Sequence, residues 1–215
     1  MAEPEALYPD LRPPRAPRAA RLEVQRPDAA DTPDPEVLRV VNAASRKGVA
    51  LEIQLIPGMM HTAEEAAAAV DAELGRIVNA IVLVAPRADG RLIPIVFLGS
   101  GHNQADLGLV AAVTGEVAVR LATARETIEL TGYAVGGIPP LGYGRDVRVV
   151  MDQDLCQYQS VWAAAGTTDA IFQIAPGTLR MLSNAVVAPP AETSWVRRAG
   201  LQFEPRSNFE AGAGA

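Results

Sequence analysis

The sequence is short of several residue types, and each shortage closes off a class of function. Lys47 is its only lysine, so arginine supplies every other side-chain cation apart from any protonated histidine. A single cysteine, Cys156, excludes an internal disulfide and any cysteine-cluster metal site. His61 and His102 are the only histidines and have no acidic cluster beside them, so no metal site is expected. No apolar run approaches the roughly 18–20 residues that a membrane-crossing helix needs. The N-terminus has no apolar core behind its charges, so no secretory signal is expected. A basic excess is missing too: the net charge is −6, whereas proteins that grip nucleic acid mainly through phosphates carry a positive one. Any RNA contact is therefore expected to be local, shape-dependent and transient, and neither DNA nor a membrane is an expected partner. A phosphate-cradling glycine loop leading into Lys-Ser/Thr is absent, as is a Gly-x-Ser-x-Gly nucleophile elbow.

What is present suits one domain. The chain has 215 residues, 49% of them hydrophobic, enough for a sizeable core. A cytoplasmic location is the default expectation. Residues 1–33 are rich in Pro, Arg, Ala and Asp and read as a disordered leader; Arg12, Arg15, Arg18, Arg21 and Arg26 within it read as a solvated tail or as RNA contacts. The domain is expected over 34–191. Residues 192–215 contain Trp195 and Phe203 and read as an extension that packs loosely or frays.

Helical and strand patterns alternate within the domain. Asp34 and Pro35 open a helix that Gly48 stops. Residues 50–56 read as a strand. Thr62-Ala63-Glu64-Glu65 is a capping box opening an alanine-rich helix to about Leu74. Two apolar strands, 76–85 and 91–98, flank the turn signal Asp89-Gly90. A short helix over 105–113 and a strand over 117–121 follow. The second capping box, Thr123-Ala124-Arg125-Glu126, opens a helix that Gly132 ends. Beyond a Gly/Pro-rich loop come a strand at 147–151, a helical turn capped by Asp154, a hairpin-like stretch over 163–174, a helix at 179–182 and an extended segment at 185–187. The mixture predicts an α/β or α+β fold around a mostly buried mixed sheet.

Three features carry candidate chemistry. In Tyr133-Ala134-Val135-Gly136-Gly137-Ile138-Pro139-Pro140-Leu141-Gly142-Tyr143, paired glycines admit close backbone approach and paired prolines stiffen the far side. Such a loop is either a rigid turn whose outward amides hold a developing oxyanion or simply a sharp surface turn. Asn79 interrupts the apolar run Ile77-Val78-Asn79-Ala80-Ile81-Val82-Leu83-Val84. An unsatisfied buried amide costs about 1–3 kcal/mol, so Asn79 should have a partner or line a cavity. His61 and His102 each precede a helical segment and are either ordinary loop residues or proton-transfer groups.

The order of segments from Val37 to Ala188 resembles the YbaK/prolyl-tRNA-editing family. The resemblance rests on Thr62-Ala63-Glu64-Glu65-Ala66-Ala67, the strand Arg76 to Val84, and the stretch from Leu121-Ala122-Thr123-Ala124 through Leu130-Thr131-Gly132-Tyr133 into Gly136-Gly137-Ile138-Pro139-Pro140. Val149-Val150-Met151-Asp152 and Trp162-Ala163-Ala164-Ala165-Gly166-Thr167 then follow. The resemblance implies a mixed α/β fold with a barrel-like mixed sheet surrounded by helices, and a pocket for the 3′-terminal aminoacyl-adenosine. It implies hydrolysis of the ester of mischarged tRNA bearing a small amino acid such as Ala, Cys or Ser, without metal or organic cofactor. The expected partner is the aminoacyl-tRNA acceptor end, and the expected assembly a monomer or homodimer. The family's G-x-x-x-P element falls on Gly136 and Pro140, whose backbone would position the ester carbonyl and the attacking water. Asn79, Gly136, Gly137, Ile138 and Pro140 are thereby the candidate catalytic residues, and His61, Thr62, His102, Pro139, Asp152 and Gly166 the candidate substrate contacts.

Two departures stand out. The family's strand usually reads Ile-Val-Lys with lysine as the main functional side chain, and here that position is Asn79. Asparagine offers hydrogen bonds but no charge, and charge-assisted bonds are about twice as strong as neutral ones. Lys47, at the end of the first helix, is not expected to replace it. Relatives often carry basic residues after the Asp-Leu that is Asp106-Leu107 here, where Gly108-Leu109 follow. Three readings result: a deacylase in which Asn79 orients the terminal ribose or phosphate, a non-catalytic module binding tRNA, a small ligand or a protein, and a hydrolase of a different ester or amide.

Overall fold

The computed structural model describes residues 34–189 apart from 57, 59, 61 and 102. The expected leader and the extension 192–215 lie outside the described residues, as do His61 and His102.

Helix α1 (Pro35–Ser45) begins where Asp34 accepts a hydrogen bond from the Glu36 amide at 2.7 Å, and it buries Val37, Val40 and Ala44. Strand β1 (Ile53–Leu55) is shorter than expected because only three residues find partners on another strand. Helix α2 (Ala63–Ala69) starts with both bonds of the Thr62/Glu65 capping box and stops five residues early. Beyond Ala66 and Ala67 it has little apolar surface to bury, Asp71 takes φ +48°, and Leu74–Arg76 wind into a 3-10 turn.

Strands β2 (Val78–Pro86) and β3 (Leu92–Ser100) form the expected hairpin, closed by Arg87 and Arg91 exchanging a backbone bond. Helix α3 (Leu107–Thr114) is capped by Asp106. Strand β4 (Arg120–Leu121) is a remnant of the expected 117–121 because only those two residues pair with β2. Helix α4 (Ala124–Thr131) runs from its Thr123/Glu126 capping box to Gly132, in the left-handed conformation. Strand β5 (Arg148–Asp152) leads into a 3-10 turn, Gln153–Gln157. Its cap is Asp152 rather than the expected Asp154: the Asp152 carboxylate accepts from the Asp154 amide at 2.9 Å. Strands β6 (Val161–Ala164) and β7 (Ala170–Ile174), helix α5 (Pro176–Ser183) and strand β8 (Val186–Ala188) complete the domain.

The mixed sheet is divided in two. Five strands run in the order β4-β2-β3-β5-β8, antiparallel on the β4 side and parallel from β3 to β8. Three run in the antiparallel order β1-β7-β6. Side-chain alternation sorts β2 and β3 between two cores. Val78, Val82, Val96 and Leu98 join the large core shared with α1, α5 and the small sheet. Leu83, Ala85, Ile95 and Phe97 pack on the opposite face with Val110 of α3. Among the described residues a single parallel bridge, Ile77 to Trp162, joins the two sheets.

Candidate active site

That bridge is the crotch of a fork. Beyond Ile77, β2 leaves β6, and β4 meets its free side only from Val82 onward, where Ala122 donates its amide to the Val82 carbonyl at 3.0 Å. Between these points no strand pairs with that side of β2 among the described residues. The gap is a cavity of about 320 Å³, the lower end of small-molecule sites. Residues 78–82 of β2 form one wall, and Trp162, Ala163 and Ala164 of β6 with Ile171 of β7 another. Thr62, Ala63 and Ala66 at the start of α2 and Thr127 of α4 close the sides. Leu121 and Val135, both 59% exposed, line it as well.

The Gly/Pro loop contributes Gly136 and Ile138 to the cavity lining. Gly136 takes φ +92°, a conformation that glycine adopts without strain. For Gly137 the expectation of an outward-facing amide is corrected: its N–H donates to the Ala134 carbonyl at 3.1 Å. A β-carbon there would lie 2.7 Å from the Gly166 carbonyl oxygen, so this glycine lets the bend stack on the loop after β6. Pro139, Pro140 and Leu141 are buried behind the bend. Two tyrosines brace it from within: the Tyr143 hydroxyl donates to the Pro139 carbonyl, and that of Tyr133 to the Gly142 carbonyl at 2.9 Å. The rings meet edge-on with centroids 6.1 Å apart, and the Arg39 guanidinium lies 4.5 Å over Tyr133. Burial pushes both phenols above their ordinary range, so both remain donors at working pH.

Among its described residues the cavity wall is electrically neutral. No described residue lining it carries an ionisable side chain. Arg120 and Arg125, close in sequence to the lining residues Leu121 and Thr127, are already paired: Arg120 meets the Glu126 carboxylate at 2.7 and 2.8 Å, and Arg125 meets Glu129 at 2.7 Å. The Arg120 guanidinium, aided by the Thr123 amide, holds the Glu126 carboxyl down at about 2. Lys47 is committed elsewhere. Its ammonium donates to the Leu182 carbonyl at 2.6 Å, the Met181 carbonyl at 3.4 Å and the Asn184 side-chain oxygen at 3.0 Å, capping the end of α5.

The structure brings Asn79, Thr62, Gly136 and Ile138 together on this cavity. Asn79 is half-buried, and alternation sets its side chain on the same face of β2 as Ile81 and Leu83. Gly137, Pro139, Pro140, Asp152 and Gly166 do not line it. Asp152 is instead a loop anchor, accepting from the Asn103 side-chain amide at 2.6 Å and the Ser100 amide at 3.4 Å. Gly166 is a contact glycine, since a β-carbon there would meet the Glu36 carbonyl group at 2.9 Å. Trp162, Ile171, Ala66, Thr127, Leu121 and Val135 line the cavity without having been singled out as site residues. They come from separate elements, and an apolar residue in a periodic pattern reads as core until the fold assembles it around an opening.

Fold and cleft define a mixed α/β domain with a neutral, ligand-sized opening between two sheets. The chain belongs to the aminoacyl-tRNA editing domain family, whose profile matches residues 58–182. It is 26% identical over 127 residues to the "Putative Cys-tRNA(Pro)/Cys-tRNA(Cys) deacylase EbsC" of Enterococcus faecalis, covering 59% of this chain and 75% of that one. A proline–tRNA ligase of Limosilactobacillus fermentum matches at 28% over 95 residues, 44% of this chain but 17% of the ligase. Among solved structures, one described as a "putative trans-editing enzyme for prolyl tRNA synthetase" superimposes with a TM-score of 0.67 at 40% identity. That match covers 75% of this chain and 99% of the other.

Proposed function

We propose that this chain hydrolyses the ester joining a small amino acid to the 3′-terminal adenosine of mischarged tRNA. The observation that carries the reading is that Asn79 and the Gly136–Ile138 bend share one neutral cavity in a chain of the editing family. The volume suits an aminoacyl group and part of the ribose, and the six alanines 63, 66, 80, 122, 163 and 164 on its wall suit small side chains. Water oxygen bonds to the ester carbonyl carbon, the carbon–oxygen bond to the ribose breaks, and the proton goes to the departing ribose oxygen. With no acid or base among the described lining residues, the wall contributes orientation and fixed dipoles while the substrate's own groups handle the proton. Asn79 orients the terminal ribose or phosphate, and the bend positions the ester. The test is release of amino acid from tRNAs charged with Ala, Cys, Ser and Thr at catalytic protein concentration. Absence of turnover across the panel sinks the reading.

One observation favours a second reading, a non-catalytic binding module. The amine that the family resemblance implies at residue 79 is missing, and the chain's only lysine is spent on α5. Binding of uncleaved aminoacyl-tRNA without turnover is what that reading expects.

A further inference from the structure

The walls of the cavity differ in what their backbones offer. The described side chains supply no charge there, yet an aminoacyl ester carries an α-ammonium group that must find an acceptor when it leaves water. The interrupted edge of β2 provides one. Because the Val82 carbonyl accepts from Ala122, Val82 turns its peptide groups to the side of β2 away from β3. Peptide groups of alternate strand residues point the same way, so Ala80 turns its N–H and C=O to that side too, where the strand lines the cavity and no strand pairs with it among the described residues.

An N–H and a C=O from one residue, side by side, match the two groups that a facing antiparallel residue presents. An aminoacyl ester presents the same pair: an α-ammonium donor and an ester carbonyl acceptor, separated by one α-carbon. We propose that Ala80 binds the aminoacyl group as a one-residue antiparallel strand, its carbonyl accepting from the α-ammonium and its N–H donating to the ester carbonyl. The proposal rests on the deacylase reading and adds to it a main-chain clamp. The clamp reads the α-amino acid itself rather than its side chain, as strand addition does elsewhere. It explains how a wall with no carboxylate among its described residues holds a cationic amino acid, and it sets the carbonyl in the gap that Gly136 and Ile138 also line.

The probes are 3′-alanylamino-3′-deoxyadenosine, a non-hydrolysable amide mimic of the aminoacyl end, and its deaminated counterpart carrying a propionyl group. Both are titrated into the full ¹⁵N-labelled chain and followed by amide chemical shift and hydrogen exchange. The alanyl compound should shift the Ala80 amide and slow its exchange, and the propionyl compound should bind about tenfold or more weakly. Ala80→Pro removes the N–H from the side that does not pair with β3, a position where a strand tolerates proline, and should weaken the alanyl compound to a similar degree. Shifts at Gly136 and Ile138 with Ala80 unmoved, or equal binding of the two compounds, overturn the clamp and leave the deacylase reading standing. No shift anywhere overturns both.

Discussion

Tyr143 holds the carbonyl of Pro139 through its hydroxyl, although its ring lies beyond the bend that Pro139 helps to build. The bond ties the rigid, buried side of the Gly/Pro loop to the large core, which Ile138 joins while it and Gly136 line the cavity. Tyr143→Phe keeps the ring and removes the donor, leaving a buried carbonyl without it. We expect a loss of about 1–2 kcal/mol in urea unfolding. We also expect kcat for deacylation to fall about tenfold with little change in KM, because a displaced bend misplaces the ester more than it loosens the ligand. Unchanged kcat in a folded variant would show that the brace does not reach the site.

Much of this fold was written locally, and the site was not. Thr62/Glu65, Thr123/Glu126 and Gly132 mark helix ends through bonds among residues three or four apart, and all three ends fall where expected. The apolar runs on either side of Asp89-Gly90 likewise form the central hairpin. Strand lengths were less legible: β1 and β4 are short because pairing with β7 and β2 decides them. Asn79 was recognisable as a polar interruption, and it does line the cavity. Gly137 and Gly166 form a different case, because a glycine kept for close packing and one kept for ligand approach look identical until the neighbouring backbone is in view.

Lys47 offers a test of how fully the chain's one ammonium is committed. Its three acceptors sit at the end of α5, where a helix gathers partial negative charge. Lys47→Met should cost about 1 kcal/mol in thermal or urea unfolding while leaving kcat/KM unaltered. A drop in kcat/KM at full folding would mean that the ammonium reaches substrate after all.

Glu116 is a buried carboxylate held by Arg87 at 2.8 Å and by Arg148, so it ties the β2–β3 hairpin to β5. Its side chain is 2% exposed, while the two arginines are 38% and 46% exposed and can return to water. That asymmetry softens the penalty usual for breaking a buried pair. Glu116→Gln should cost about 2 kcal/mol, measured by urea denaturation. Glu116 does not line the cavity, so turnover per folded molecule should be unchanged.

Asn79→Lys addresses the departure from the lysine that the family resemblance implies at this position. Lysine on this half-buried strand brings a charge into a wall with no carboxylate among its described residues, and desolvation should cost about 1 kcal/mol of stability. What it returns is a charge-assisted contact to the terminal phosphate or developing oxyanion. If Asn79 performs the orienting role in a working deacylase, the lysine should raise kcat/KM about tenfold or more on a mischarged tRNA that the natural protein already cleaves. The gain should shrink as salt is raised, because the new attraction is partly exposed and therefore screened. If turnover appears only in Asn79→Lys, the natural protein is a binder that has kept the cleft and lost the charge. A steady-state comparison of the two proteins on one charged tRNA, at low and high ionic strength, separates these outcomes: a deacylase differs from its variant in rate, a binding module differs in whether there is any rate to measure.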